Sequence, residues 1–87
     1  MSRASGYSEI ANAQLDEFER VDDPELYDAL LDVCEFVLAN PGQAQARSSV
    51  LSTAVGIRFR LAVPGHHPYK VFWSSDVPRI EAVFPYQ

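Results

Sequence analysis

Eighty-seven residues with a hydrophobic share of 47% suffice for one small domain and are too apolar for a disordered chain. The single cysteine, Cys34, excludes an internal disulfide and a cysteine-based metal site, and reads as a small buried hydrophobe. The net charge of −5 hides a division: residues 1–43 hold ten acidic and two basic side chains, residues 44–87 two acidic and five basic. Partners feel such local fields more than the total.

The opening "MSRASGYSEI" lacks the apolar core of a signal peptide, and no apolar run is long enough to span a membrane. With the lone thiol, this points to the cytoplasm and away from membranes.

"SEIANAQLDEFERV" predicts a helix. Ser8 is placed to cap it, Glu9 favours its first turn, and Ala11, Leu15 and Phe18 share a face. "DDPELYDALLDVCEFVLANPG" predicts a second. Asp23 is a good cap and Pro24 suits the first helical position, where a missing N–H costs nothing. Leu26, Leu30, Val33 and Val37 form its stripe, widened by Leu31, Cys34 and Leu38, and Asp28, Asp32 and Glu35 face water. Asn40-Pro41-Gly42 ends it. The two helices read as a hairpin.

"GQAQARSSVLST" reads as a polar connection with room for a short first strand. Val55, Ile57, Phe59, Leu61 and Val63 then alternate with Gly56, Arg58, Arg60 and Ala62, the pattern of a half-buried strand. After a turn at Pro64–Pro68, Tyr69, Val71 and Trp73 join the apolar face, and Lys70, Phe72 and Ser74 take the other. A last strand, "RIEAVFPY", is read with Ile80, Ala82 and Phe84 inward and Arg79, Glu81 and Val83 outward. The expected architecture of the single domain, residues 1–87, is α+β. An N-terminal helical hairpin packs on one face of a small antiparallel sheet.

That arrangement gathers Arg58, Arg60 and Lys70 on the sheet face away from the helices, across the molecule from the acidic residues. Arginine forks grip phosphate, and cations stabilise the charge that develops on phosphorus during RNA cleavage by the 2′-hydroxyl. Phe72 and Tyr86 are candidates for stacking on bases. The plainer account is that these cations solubilise an exposed face. Glu81 reads as a salt-bridge partner or a proton acceptor. His66 and His67 read as a solvated turn, with no third ligand placed for a metal. No glycine-rich phosphate loop, HExxH or G-x-S-x-G is present, so neither cofactor nor metal is expected.

Taken together, "LANPGQ" closing the hairpin, "VGIRFRLAV", "PYKVFWS" and the final "RIEAVFPY" resemble the RelE/ParE toxin superfamily of bacterial type II toxin–antitoxin systems. The family has a strand before its first helix, where this chain has only the short "SRASGY". The resemblance implies a toxin neutralised by a cognate antitoxin protein. Such toxins act either as ribosome-dependent endoribonucleases on mRNA or as protein-binding inhibitors of DNA gyrase. By position it implies catalytic roles for Arg58, Arg60, Lys70 (where the family commonly has arginine after tyrosine) and Tyr86 near the carboxyl end. A diverged, inactive homologue is the remaining alternative.

Overall fold

A computed structural model describes residues 6–21 and 23–85. Helix α1 spans Glu9–Arg20, α2 Pro24–Ala39 and α3 Pro41–Arg47. Strands β1 (Ser49–Thr53), β2 (Gly56–Ala62), β3 (Lys70–Ser74) and β4 (Arg79–Phe84) follow as an antiparallel meander in the order β1-β2-β3-β4. Three helices thus precede and cover a four-stranded sheet. The expected α+β class and the helical cover are as read from the sequence.

Both long helices start where their caps predict. The Ser8 hydroxyl accepts the Ala11 N–H at 2.9 Å, and the Asp23 carboxylate accepts the Leu26 N–H at 3.1 Å, with Pro24 in the first turn. Ala11 and Leu15 of α1, and Leu26, Leu30, Val33, Cys34 and Val37 of α2, are buried. They meet Phe59, Val71, Trp73, Ile80 and Val83 from the sheet. Phe59 and Trp73, cross-strand partners, stack with centroids 5.0 Å apart.

Three expectations change. The polar connection contains both a helix and a strand. Pro41 fits the first turn of α3, whose Ala44 is fully buried, and Ser48 then joins that helix to the core. Its hydroxyl donates to the Ala44 carbonyl at 2.6 Å and accepts from the Trp73 indole at 3.1 Å.

Second, the apolar face of β2 is only partly covered. Phe59 and Val63 are buried, whereas Ile57 and Val55 are 58% and 77% exposed. Val50 pairs with Phe59 across β1–β2 and is 64% exposed. The hairpin's tip runs past the helical layer, so alternation alone does not produce burial there. Gly56, at φ +128°, supplies the backbone conformation that closes this turn.

Third, β4 changes phase. Trp73 is opposite Ile80 and Phe72 is opposite Ala82, leaving Glu81 as an extra residue in a β-bulge. Ile80 and Val83 therefore both face the helices and are fully buried, while Phe84 turns outward and is 46% exposed. The assignment of Val83 to the outer face, and of Ala82 and Phe84 to the inner one, is corrected accordingly.

Candidate anion-binding face

The outer surface of the sheet is set by cross-strand register. Arg60 lies between Ser49 of β1 and Phe72 of β3, and Phe72 is in turn opposite Ala82. The next row toward the β2–β3 turn is Ala62, Lys70 and Phe84. Arg60 and Lys70 are thus diagonal neighbours on adjacent strands, a relationship with a backbone separation of about 7–8 Å. Phe72 and Phe84 meet edge to face at 4.9 Å beside them. Among the described residues, neither Arg60 nor Lys70 has an ion-pair partner. Both are half-buried, so their stems lie along the sheet while their charged ends remain available.

The other sequence candidates are distributed differently. Arg58 sits one row further toward the hairpin tip, opposite Leu51, and its guanidinium donates to the carbonyl of its own neighbour Ile57 at 3.0 Å. It belongs to the same face but is directed back along β2. Tyr86 lies outside the described residues. Glu81 accepts from the Ser74 hydroxyl at 2.8 Å, and the Arg79 Nε stands 3.9 Å from the same oxygen. That cluster occupies the opposite end of β4 from Phe84, so Glu81 and Arg79 hold each other and the strand end.

His66 and His67 lie in the β2–β3 turn, closed by backbone hydrogen bonds from His66 to the Val63 carbonyl and from Tyr69 to the His66 carbonyl. Among the described residues, no three His, Cys, Asp or Glu side chains are grouped to hold a metal. No helix in them is long and apolar enough to cross a membrane.

Two features of the site region were not anticipated. Phe84 is on the outer face because the bulge at Glu81 shifts the alternation counted from Ile80, a shift that a strict period of two hides. Arg47 lies with its guanidinium carbon 5.1 Å from the centre of the Phe36 ring, at a cleft of about 340 Å³ between α2, α3 and β2. An arginine eleven positions beyond a helical phenylalanine carries no signal for that contact, because the turn into α3 creates it.

Chemically, the outer face offers two cations without an ion-pair partner among the described residues, beside an aromatic pair. It can hold phosphate oxygens and present a ring edge to a base. Comparison with known proteins adds no further constraint: no protein-family model matches the chain, nor does any curated protein or solved structure.

Proposed function

We propose that the chain is the toxin component of a bacterial type II toxin–antitoxin system, a RelE-type endoribonuclease that cleaves mRNA on the ribosome through its outer sheet face. The observation that carries this reading is the placement of Arg60 and Lys70 beside the Phe72–Phe84 pair, free of ion pairs among the described residues. The order of elements adds support, with a helical hairpin before the meander. Tyr7, just before α1, makes a parallel bridge to Ile80, where the family has its first strand.

In this reading, Arg60 and Lys70 bind the non-bridging oxygens of the scissile phosphate. The 2′-oxygen bonds to phosphorus as the bond to the 5′-oxygen breaks, and the two cations neutralise the charge that accumulates between. One proton leaves the 2′-hydroxyl and one reaches the departing 5′-oxygen. Tyr86, the second residue after Phe84, is the proposed proton-transfer group. Arg58 neutralises a neighbouring phosphate. A cognate antitoxin covers the face when the toxin is silent, and the protein works in the cytoplasm.

A second reading, a non-catalytic toxin that docks on a protein such as gyrase, is favoured by the acidic helical surface. Asp16, Glu17, Glu19, Glu25, Asp28, Asp32 and Glu35 are exposed there and oppose a polyanion except at the outer sheet face. The test is incubation of the purified chain with translating ribosomes, followed by mapping of mRNA ends. Cuts made by the wild type and lost in Arg60→Ala/Lys70→Ala support the ribonuclease. Intact mRNA, together with DNA-damage signalling and growth arrest on induced expression, supports the gyrase-directed reading instead.

A further inference from the structure

The two edges of the sheet are treated differently. At the β4 edge, the chain before α1 supplies partners: Ser8 N–H donates to the Ile80 carbonyl at 2.8 Å and Ile80 N–H to the Gly6 carbonyl at 2.7 Å. The Ser8 hydroxyl donates to the Glu81 carbonyl at 2.6 Å, and Gln14 accepts from Val83 N–H at 2.6 Å. That edge is sealed. At the other edge β1 pairs, among the described residues, only with β2. Natural edge strands are usually guarded by lysine, proline or an inward-pointing charge. From Ser48 to Gly56 there is no charged residue and no proline. Val50, Ile57 and Val55 add exposed apolar surface on the helix side of the same hairpin.

We propose that β1 pairs with β1 of a second copy of this chain, antiparallel about a two-fold axis, to make one continuous sheet. A two-fold axis perpendicular to the sheet keeps both helical layers on one side and both outer faces on the other. The register that overlaps all five residues of β1 sets Leu51 against its own mate, Val50 against Ser52 and Ser49 against Thr53. Every one of these side chains is uncharged. Val50 of each copy then lies beside Ser52 of the other on the helix side of the joined sheet, with Ile57 of that other copy on the next strand.

Charge decides between this occupant and an acidic extended partner. An acidic strand laid on β1 would face Ser49, Leu51 and Thr53, which offer it no cation, and Arg58 stands one strand further in, on β2. A copy of β1 meets neutral side chains with neutral side chains. The net −5 of each copy does not oppose the pairing locally. Acid-rich α1 packs against β4 at the far edge, and α3, which leads into β1, has no acidic residue. Arg58 and its mate are three strand spacings apart, about 14 Å, beyond the screening length of about 8–10 Å at physiological salt.

Two measurements test this. The first is sedimentation equilibrium of the full chain over a wide concentration range, for wild type and Val50→Lys, with circular dichroism to verify that the variant folds. The expected result is a dimer mass that rises with concentration in the wild type and a folded monomer for Val50→Lys. The second uses Leu51→Cys in a Cys34→Ser background, oxidised with glutathione disulfide. Directly opposed strand residues have Cα atoms about 4.5–5.5 Å apart, within disulfide range. A covalent dimer formed faster by Leu51→Cys than by Val50→Cys supports the register. A wild-type monomer at every concentration overturns the proposal, as does a dimer that Val50→Lys leaves intact. Protection of β1 amides that appears only when an alternating glutamate–valine peptide is added to a monomer assigns the edge to another chain and also overturns it.

Discussion

The side chain of Gln14 on α1 accepts the backbone N–H of Val83 on β4 at 2.6 Å, with both residues buried. A glutamine inside an amphipathic helix thereby completes the outermost strand of the sheet, next to the bulge that disturbs its ladder. Replacing Gln14 by leucine keeps the volume and removes the acceptor. An unsatisfied buried N–H costs about 1–3 kcal/mol. The urea midpoint of Gln14→Leu should fall accordingly, with an unchanged slope.

Gly6 adopts φ +111°, and a Cβ there would lie 3.1 Å from a methyl of Leu38. Gly6→Ala therefore meets both a left-handed backbone and a close neighbour. The expected loss is about 1–2 kcal/mol. Hydrogen exchange should show it first at the Ser8 and Ile80 amides, whose bonds hold this segment to β4.

Ser48 connects α3 to β3 through the Ala44 carbonyl and the Trp73 indole. Ser48→Ala leaves the indole N–H of a fully buried tryptophan without its partner. Destabilisation of about 1–3 kcal/mol is expected. Trp73 fluorescence during denaturation reads this directly. Val77→Thr, a change at an exposed residue of the β3–β4 turn, should leave the midpoint within about 0.5 kcal/mol of wild type.

If the outer face binds single-stranded RNA, Arg60 and Lys70 should each account for one phosphate contact. Loss of a contact reduces the slope of log affinity against log salt by about 0.7 for single strands. Arg60→Ala/Lys70→Ala should therefore flatten the slope by about twice that amount. Arg79→Ala, whose guanidinium stands beside Glu81 at the other end of β4, should leave it unchanged. Equal slopes for all three proteins would remove the anion-binding assignment.

The two long helices were legible because cap, proline and stripe agreed in each: Ser8 and Asp23 cap as their residue types suggest. Arg60, Phe72 and Lys70 were legible as outer-face residues because alternation in β2 and β3 is unbroken. What escaped depends on tertiary geometry. The pattern that marks Ile57 as apolar is identical to the one that marks Phe59, and only the reach of the helices separates 58% exposure from burial. Residues 41–53 were obscure because α3 is seven residues long and β1 five, each too short to show a period clearly. The contact of Arg47 with Phe36 is likewise a product of the chain's reversal at Asn40.

Glu81 changes the parity of the last strand. Before it, the residue committed to the interior has an even number, Ile80; after it, an odd one, Val83. Each half of β4 can therefore answer to a different customer, the Ile80 half to Trp73 and the entering N-terminal segment, the Val83 half to Val71 and Gln14. Deleting Glu81 would leave both halves in one uninterrupted frame, with the same residues inside and the same phenylalanine outside. The extra residue is thus tolerated by the core rather than demanded by it. Its backbone carbonyl, held by the Ser8 hydroxyl, makes it an anchorage for the first helix.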